Sequence, residues 1–246
     1  MVSVLIFAGG IGQRMQSLDI PKQFLEIEGR PIIVRTTEHF SNHPMVDHVV
    51  IVCLESWIDV LKEEIEAFGL QKIAAVVPGG ETGHQSIHKG LLAIREQLSP
   101  KDDDIILICD GVRPMLTEEL ITTCIRDTGT YGTAVPVTRS IDSALYSEDG
   151  VISDKNFERR KIFITQAPQG YRAEKIFRAH EEAEKRNMES ISSGDLLIEL
   201  GEPIHIFEGL RENIKVTTPE DLESLRAIHY YKHYKDFAKE VLKYGL

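Results

Sequence analysis

Short runs of apolar, mostly β-branched residues alternate along the chain with longer segments whose apolar residues recur at helical spacing. This alternation is typical of βαβ units around a mostly parallel sheet, and the nearly continuous apolar runs predict strands buried on both faces. The predicted strands are Val2–Phe7, His48–Leu54, Ile73–Val77, Asp104–Cys109, Thr133–Val137, Lys161–Ile164 and Ile204–Phe207. The predicted helices are Ile32–His39, Trp57–Phe68, Glu81–Gln97, Glu118–Asp127, Arg172–Arg186 and Pro219–Tyr234. No repeat or linker-like stretch interrupts the pattern, so we expect one α/β domain over residues 1–246.

The segment from Ser140 to Asp154 departs from this alternation. It predicts a strand, a turn at Glu148-Asp149-Gly150 and a second strand. We expect this hairpin to project from the sheet as an arm, at about residues 138–160. Projecting hairpins often pack on another subunit, and a simple surface excursion is the alternative that the residues leave open.

The end of the chain differs in charge from the rest. A helical tail is predicted over about residues 219–246. It begins at Thr218-Pro219-Glu220-Asp221, where a capping hydroxyl, a first-turn proline and acids at the positive end of the helix dipole follow one another. From Arg226 to Leu246 there are five basic and two acidic residues. We expect this helix to pack on its own domain, and a helix that binds a membrane surface or a partner is the alternative.

Charge and cysteine content narrow the class of protein. The 246 residues include 39 acidic and 28 basic side chains, a formal charge of −11, which argues against a nucleic-acid-binding protein because such proteins carry a basic domain or stripe. The three cysteines are far apart and form no Cys-x-x-Cys pair, which disfavours disulfides and zinc and favours a reducing cytosol. No apolar segment reaches the roughly 18–20 residues of a membrane span, and the apolar start lacks the basic leader of a secretory signal. We therefore expect a cytoplasmic protein.

The first predicted strand leads into a glycine-rich segment, AGGIGQRM at Ala8–Met15. Glycines directly after a strand let backbone amides surround an anion, and the basic side chains of Arg14 and Lys22 would suit a triphosphate. The dinucleotide pattern GxGxxG fails because Met15 stands at its third glycine position, and the P-loop pattern fails because no Gly-Lys-Ser/Thr follows. A purely structural turn is the alternative at this point.

The fourth predicted strand leads into Asp110, which is followed by Gly-Val-Arg-Pro. In open α/β sheets ligands bind beyond the carboxyl ends of the strands. A carboxylate that leaves a buried strand is well placed to hold Mg²⁺ between phosphate oxygens. The alternative is an aspartate that caps the next turn and pairs with Arg113.

Six short motifs are spread in order over most of the chain. They are AGGIGQRM (Ala8–Met15), PKQF (Pro21–Phe24), GG…S (Gly79, Gly80 and Ser86), DGVRP (Asp110–Pro114), QAPQ (Gln166–Gln169) and NIKVTTPEDL (Asn213–Leu222). With these motifs the chain resembles the cytidylyltransferases that activate a polyol phosphate with CTP. Members of that family make CDP-methylerythritol for isoprenoids, or CDP-ribitol for teichoic acid and capsule. The resemblance runs from about Val4 to Ala227.

The resemblance implies a Rossmann-like nucleotidyltransferase fold, with a mostly parallel mixed sheet flanked by helices and a projecting β-hairpin arm. It implies CTP and a small polyol phosphate as substrates, Mg²⁺ as the metal and a homodimer formed through the arm, with neither nucleic acid nor membrane as a partner. The implied reaction is a direct in-line attack of the acceptor's phosphate oxygen on the α-phosphorus of CTP, with pyrophosphate leaving. Because the attacking phosphate is already anionic, positioning and cations carry the reaction and no general base is needed.

Residue roles carry over by position in these motifs. The implied catalytic residues are Arg14, Lys22 and Lys215. The implied nucleotide-binding residues are Ala8, Gly9, Gly10, Gly12, Gly79, Gly80, Ser86 and Asp110, and Asp110 is also the implied Mg²⁺ ligand. The implied acceptor-binding residues are Arg159, Asp142 and Arg113, of which Arg159 often reaches the acceptor's phosphate across the dimer in the family.

Two departures from the family pattern concern these same sites. The family usually has an arginine three residues before Ser86, where this chain has Gly83. The neighbouring His84 replaces that charge only in part, because histidine is mostly neutral at physiological pH. The acid-containing pair before the penultimate helix is replaced by Ser192-Ser193, with the acid displaced to Asp195.

The acceptor is predicted from one short stretch of the arm. The stretch Ser140-Ile141-Asp142-Ser143 resembles an Ile-Asp-Thr stretch of the ribitol-phosphate branch. We therefore expect D-ribitol 5-phosphate, with 2-C-methyl-D-erythritol 4-phosphate as the alternative. Two further alternatives stay open: the same scaffold acting on another substrate, such as a sugar 1-phosphate or a molybdenum-cofactor precursor, and a nucleotide-binding scaffold without catalysis.

Overall fold

A computed structural model describes residues 1–10 and 20–244. Its strands are β1 (Val2–Ala8), β2 (Glu26–Ile27), β3 (Arg30–Pro31), β4 (His48–Cys53), β5 (Ile73–Pro78), β6 (Ile105–Asp110), β7 (Thr133–Arg139), β8 (Leu145–Tyr146), β9 (Lys155–Asn156), β10 (Phe163–Thr165), β11 (Gln169–Arg172) and β12 (Ile206–Glu208). Its helices are α1 (Ile32–Ser41), α2 (Ile58–Ala67), α3 (Gly83–Leu98), α4 (Glu118–Tyr131), α5 (Ala173–Arg186), α6 (Ser193–Glu199) and α7 (Pro219–Tyr244). The predicted alternation of strands and helices is confirmed.

The main sheet is mixed but mostly parallel, in the order β10-β7-β11-β6-β1-β4-β5, with β12 paired to β7. Strand β1 lies at its centre, parallel to both β4 and β6. Strand β11 is inserted antiparallel between β6 and β7, and β10 is antiparallel to β7. The carboxyl ends of β1, β4 and β6 therefore lie side by side at one edge of the sheet.

Side chains of the central strands alternate between two buried clusters, one on each face. In β1, Val4 and Ile6 belong to the cluster that α1, α2 and α4 cover, whereas Leu5 belongs to the cluster that α3, α5 and α6 cover. Strands β4 and β6 alternate in the same way. Helices on both faces explain why these strands are continuously apolar in sequence.

The first turn of α7 packs in a third, smaller apolar cluster. Leu222 and Leu225 of α7 are buried there against Ile32 at the start of α1 and against Val112, which follows β6. The packing expected for the tail on its own domain is confirmed for this part of α7. None of the helices within residues 1–10 and 20–244 combines the length and the apolar character needed to cross a membrane.

The predicted arm is present, with shorter strands than the sequence suggested. Strands β8 and β9 pair antiparallel over two residues each, and Gly150 turns the chain between them with a φ of 73°. The Asp149 carboxylate accepts hydrogen bonds from the backbone N–H groups of Val151 and Ile152, and these bonds lower the pKa of Asp149 to about 2. Hydrogen bonds within the turn thus shape this hairpin, whose two strands are not part of the main sheet.

Candidate active site

Two glycine turns meet at the carboxyl ends of β1 and β5. A Cβ atom on Gly9 would lie 2.8 Å from the Ser86 hydroxyl and 3.2 Å from the Gly79 Cα, and one on Gly79 would lie 3.0 Å from the Gly9 Cα. A Cβ atom on Gly9 would force the Ser86 hydroxyl to shift, and the distances to backbone are tighter than in most Cβ contacts, so both positions favour glycine. The two turns, which the sequence assigns to nucleotide binding, are in direct contact.

Ser86 lies in the first turns of α3 and holds the second glycine turn. Its hydroxyl accepts a hydrogen bond from the Gly80 N–H at 3.0 Å. The helix begins after Thr82, whose hydroxyl accepts a hydrogen bond from the Gln85 N–H at 3.2 Å. The side chain of Ser86 is therefore buried as a support for the turn while it also lines the neighbouring cavity.

A first cavity of about 250 Å³ lies over these turns. It is lined by Phe7, Ala8, Gly9, Gly10, Lys22, Gln23, Gly80, Glu81, Thr82, Gly83, Ser86, Asp110, Val112 and Lys215. This set includes most of the residues that the resemblance assigns to the nucleotide. Gly12 and Arg14, which it also assigns, lie outside the described residues.

Gln23 is a site residue to which the sequence assigned no role. Its side-chain amide is buried and donates hydrogen bonds to the carbonyls of Ala8, at 2.7 Å, and Gly10, at 3.4 Å. It thereby fixes the backbone that follows β1. Its place beside Lys22 in the PKQF motif was the available signal, but a glutamine that acts on backbone carbonyls carries no distinctive sequence pattern.

Lys22 and Lys215 approach the cavity from the two ends of the chain. The Lys22 ammonium donates a hydrogen bond to the Val216 carbonyl at 3.0 Å, and the Val216 N–H donates to the Val112 carbonyl at 3.0 Å. These bonds join the PKQF turn, the segment after β6 and the NIKVTT segment at one point. They place both predicted catalytic lysines on the wall of the same cavity.

Asp110 ends β6 with its carboxylate between two cations. Its Oδ2 lies 2.8 Å from the Arg113 Nε, and its Oδ1 lies 2.5 Å from the Lys215 Nζ. Burial alone would raise the pKa of the Asp110 carboxyl, but the positive charges of Arg113 and Lys215 outweigh burial and hold that pKa below its usual value. Asp110 is therefore an anion, and its pairing with Arg113, left open by the sequence, is present.

A second cavity of about 320 Å³ adjoins the first and shares four of its residues, namely Phe7, Gly83, Asp110 and Lys215. Its remaining lining residues are Ile87, Ile108, Arg113, Thr165, Gln166, Ala167, Gln169, Ile191, Ser192, Ser193 and Asp195. Buried Arg113, an implied acceptor ligand, lies in this wall. Its Nη1 also donates to the Asn213 carbonyl at 2.9 Å, so backbone and carboxylate together hold the guanidinium.

The QAPQ segment fixes the loop that carries Lys215. The Gln166 side chain donates to the Leu210 carbonyl at 2.8 Å and accepts from the Leu210 N–H at 3.1 Å. The Asn213 side chain returns a bond of 2.7 Å to the Ala167 carbonyl. Gln166 was not assigned a role from the sequence, because only folding brings it next to the backbone of Leu210.

The Ser192-Ser193 departure has a local structural role. The Ser192 hydroxyl accepts a hydrogen bond from the Asp195 N–H at 3.1 Å and donates one to the Asp195 carboxylate at 2.8 Å. This arrangement caps α6 at its first turn. Ser192 and the displaced acid Asp195 therefore shape one wall of the second cavity together.

The structure does not bring Arg159 or Asp142 to either cavity. Both side chains are exposed on the arm, where the Arg159 guanidinium donates to the Ile141 carbonyl at 3.2 Å and the Asp142 carbonyl accepts from the Ser140 hydroxyl at 2.8 Å. Within the described chain these two implied acceptor ligands are thus separate from Arg113.

The chemistry at Asp110 fits a magnesium ion that is shared with a ligand. Among residues 1–10 and 20–244 no group of three or more His, Cys, Asp or Glu side chains is arranged to hold a metal by itself. Mg²⁺ in proteins is usually held by one or two carboxylates together with phosphate oxygens and water. One carboxylate at the junction of two cavities meets that requirement when a triphosphate supplies the other oxygens.

A mostly parallel α/β sheet with cation-lined cavities at the carboxyl ends of its strands defines a class of protein that binds phosphate-bearing ligands. Within that class, the chain belongs to the 2-C-methyl-D-erythritol 4-phosphate cytidylyltransferase family, IspD, whose model matches residues 2–230. The family resemblance drawn from the six motifs is thereby confirmed.

Individual relatives carry two different acceptor names. A ribitol-5-phosphate cytidylyltransferase of Streptococcus agalactiae serotype III is 40% identical over 226 residues, which cover 92% of this chain and 94% of the relative. One of Vibrio parahaemolyticus is 37% identical, with 91% and 94% covered. A 2-C-methyl-D-erythritol 4-phosphate cytidylyltransferase of Clostridium botulinum strain Okra is 37% identical over 221 residues, with 89% and 93% covered. The expected enzyme class, a nucleotidyltransferase of the cytidylyltransferase type, is confirmed.

Solved structures agree with the fold. The 4-diphosphocytidyl-2C-methyl-D-erythritol synthase of Anaerococcus prevotii has a TM-score of 0.80 at 25% identity, covering 93% of this chain and 96% of that one. The Francisella tularensis 2-C-methyl-D-erythritol 4-phosphate cytidylyltransferase has a TM-score of 0.76 at 26% identity, covering 91% and 97%. The predicted Rossmann-like nucleotidyltransferase fold is confirmed.

Proposed function

We propose that this protein transfers the cytidylyl group of CTP to D-ribitol 5-phosphate and releases pyrophosphate. The observation that carries the proposal is the pair of adjoining cavities with Asp110 and Lys215 at their junction. One cavity contains glycines of both turns and Lys22, which suit a nucleotide. The other contains buried Arg113 with serine, threonine and glutamine side chains beside several apolar ones, which suits a phosphorylated polyol. The reacting groups would meet where the cavities join.

The choice of ribitol 5-phosphate rests on the relatives and on the arm. The ribitol-5-phosphate enzymes of S. agalactiae and V. parahaemolyticus are 37–40% identical to this chain, and the segment Ser140–Ser143 resembles their branch. The methylerythritol-phosphate enzymes of C. botulinum are 35–37% identical, so 2-C-methyl-D-erythritol 4-phosphate is the second candidate. A reaction that uses CTP also places the enzyme with the nucleotide pool, in the cytoplasm.

In the proposed reaction, an oxygen of the acceptor's phosphate attacks the α-phosphorus of CTP in line with the leaving group. One phosphorus–oxygen bond forms as the bond to the β-phosphate breaks, and pyrophosphate carries away the electron pair. Lys22 and Lys215 stabilise the charge that develops on the phosphate oxygens, and the resemblance adds Arg14 to this set. Bound Mg²⁺, held by Asp110 and phosphate oxygens, would neutralise further charge on the triphosphate.

The protein's own contribution is positioning. The Gly9–Gly79 contact brings the glycine turns after β1 and β5 together at the wall of the nucleotide cavity. Arg113 is held by Asp110 and Asn213, so it presents a fixed positive charge to the second cavity. Holding two anions close together on such a cationic surface converts their encounter into an intramolecular step.

A homodimer formed through the arm is part of the proposal. The arm exposes an apolar surface made up of Ile141, Leu145, Val151 and Ile152, of which Val151 is 85% and Ile152 is 73% exposed. A second copy of this chain is the occupant we propose for this surface. The dimer would also give Arg159 a role. Its side chain lies outside the two cavities of its own chain, so it is available to bind the acceptor's phosphate at the site of the partner subunit.

The direct test is pyrophosphate release with CTP, ATP, GTP and UTP, each combined with a panel of polyol phosphates and Mg²⁺. We expect turnover with CTP and ribitol 5-phosphate, and a product whose mass is that of CDP-ribitol. Absence of turnover with CTP and every acceptor would overturn the proposal. Turnover with another nucleotide but not with CTP would mean that the protein is a nucleotidyltransferase with a different nucleotide substrate.

A further inference from the structure

The two cations that contact Asp110 are held in different ways. Arg113 is 7% exposed, and its guanidinium is fixed at two points, the Asp110 Oδ2 and the Asn213 carbonyl. The Lys215 side chain is 43% exposed and lines both cavities. Arg113 is thus buried and fixed in the wall of the second cavity, whereas Lys215 is far more exposed and lines both cavities.

The chemistry of the two side chains matches this difference. Arginine has a planar group that bonds in a fixed geometry, whereas lysine carries a compact charge on a flexible four-carbon stem. The Lys215 ammonium can therefore turn away from the Asp110 Oδ1 without disturbing the backbone that carries it. Removing Arg113 from the Oδ2 would instead leave a buried charge without its partner.

A divalent cation at Asp110 would need the oxygen that Lys215 contacts. Asp110 is 6% exposed as a residue, its Oδ2 is bonded to buried Arg113, and its Oδ1 is bonded to Lys215 at 2.5 Å. Because Arg113 is fixed at the Oδ2, a cation that enters from the cavities needs the Oδ1, where it meets the ammonium charge of Lys215. Two cations at hydrogen-bond distance from one oxygen repel each other strongly in a partly buried site.

We propose that Lys215 is a displaceable counter-ion of Asp110. It neutralises the carboxylate while the site lacks nucleotide, then releases Asp110 to the divalent cation that accompanies CTP and turns to the triphosphate. One lysine thereby suppresses metal binding at the empty site and promotes nucleotide binding at the filled one. This inference rests on the proposed function, because a triphosphate with its metal is the ligand that triggers the exchange.

The exchange is tested by metal binding without nucleotide. The probe is Mn²⁺, which prefers the same oxygen ligands as Mg²⁺, measured from the free-ion signal in electron paramagnetic resonance. We expect Lys215→Met, which keeps the length of the side chain and removes its charge, to bind Mn²⁺ at least about tenfold more tightly than the wild type. The same variant should bind CTP with Mn²⁺ more weakly than the wild type.

Matched variants separate a local exchange from a general change in charge. Lys22→Met removes one positive charge from the same cavity wall, whereas the ion pairs of Asp110 within the described chain are with Arg113 and Lys215, so this variant should leave Mn²⁺ affinity close to that of the wild type. Lys215→Arg keeps the charge and should retain the weak Mn²⁺ binding. Adding Asp110→Asn to Lys215→Met should abolish the gain, because the gain depends on the carboxylate.

Unchanged or weaker Mn²⁺ binding by Lys215→Met would overturn the exchange, and so would an equal gain in Lys22→Met. Because Lys215 is half exposed, we expect the variant to fold, and a thermal melt verifies this. If the variant did not fold, Lys215→Arg would decide, since tight Mn²⁺ binding by that variant contradicts the inference. None of these readouts requires turnover, so failure of the proposed cytidylyl transfer would be seen separately in the pyrophosphate assay.

Discussion

At the scale of single residues, local charge matters more than net charge. The chain carries a formal charge of −11, yet Lys22 lines the first cavity, Arg113 lines the second, and Lys215 lines both. These three cations offset the three carboxylates that line the same cavities, Glu81, Asp110 and Asp195, so the acidic excess of the whole chain is locally cancelled. The acidic composition therefore excludes nucleic acid as a partner more readily than it excludes a nucleotide.

Lys22 is the residue whose removal separates catalysis from stability. We expect Lys22→Ala to lower kcat on the order of 10²–10³-fold, because it removes a cation that stabilises charge in the transition state. In the fold the variant loses the hydrogen bond to the Val216 carbonyl, worth about 1 kcal/mol. Steady-state kinetics and urea unfolding measure the two effects, with Lys62→Ala on the surface of α2 as a control. Near-normal turnover in Lys22→Ala would contradict the assigned site.

Gly83 offers a test by gain of function. A Cβ atom built on Gly83, which lines both cavities, meets no heavy atom of the described residues within 4 Å, so the position has room for a side chain. We expect Gly83→Arg, which restores the arginine usual in the family, to lower the KM for CTP, while Gly83→Ala leaves it unchanged. An unchanged or higher KM in Gly83→Arg would show that the triphosphate does not pass this position.

The buried side chain of His180 leads us to predict how the stability of the protein depends on pH. Burial, reinforced by the nearby His84 and His88, lowers the pKa of His180 to about 3. Between that value and the ordinary pKa of about 6.5, the unfolded chain takes up a proton that the folded chain does not, so stability is lost as the pH falls below about 6.5. At pH 5 the loss from this residue is about 2 kcal/mol.

The check is the free energy of unfolding of the wild type and of His180→Gln at pH 7.5 and pH 5. The amide keeps a donor for the hydroxyl of Ser193, which His180 contacts at 3.3 Å, but it does not titrate. The difference between the two pH values should shrink by roughly 2 kcal/mol in the variant. An equal difference in both proteins would mean that His180 is protonated in the fold.

At the scale of elements, the sequence predicted what is periodic and missed what is short. Strands β1, β4 and β6 were predicted because burial on both faces makes them continuously apolar. Strand β11 was missed because Gln169-Gly170-Tyr171-Arg172 is mixed in polarity, and the sheet pairs it by backbone bonds on both sides. Helix α6 was missed because seven residues give too little of a helical repeat.

The same reasoning applies to the site. Lys22, Asp110 and Lys215 belong to recognisable motifs and come together in the structure. Gln23 and Gln166 act on backbone carbonyls and N–H groups that only folding brings near, so their roles could not be predicted. Arg159 and Asp142 were predicted at the acceptor but lie on the arm, and the proposed dimer is what would bring them to a cavity.

The arm leads to a prediction about the oligomeric state. We expect the double variant Val151→Asp and Ile152→Asp to lower the mass in solution from a dimer to a monomer, because two charges on an exposed apolar surface oppose its burial. Sedimentation measures the mass, and Tyr131→Asp on α4, an exposed residue away from the arm, is the matched control. A dimeric double variant, or a monomeric wild type, would contradict the proposed interface.

At the scale of the whole molecule, the fold brings distant parts of the chain to one edge of the sheet. Strand β1 supplies the first glycine turn, β6 supplies Asp110, and the segment before α7 supplies Lys215. Val216 bonds to Lys22 and to the segment after β6, so the two ends of the chain close the cavity together. The helices covering both sheet faces leave this edge available to ligands.

The central claim is cytidylyl transfer to ribitol 5-phosphate, and the ratio of kcat/KM for two acceptors tests it most directly. Pyrophosphate release would be measured with saturating CTP and Mg²⁺ over a range of ribitol 5-phosphate and, separately, of 2-C-methyl-D-erythritol 4-phosphate. The account predicts a kcat/KM for ribitol 5-phosphate at least about tenfold higher, a difference of about 1.4 kcal/mol in transition-state binding. A higher kcat/KM for 2-C-methyl-D-erythritol 4-phosphate would contradict it.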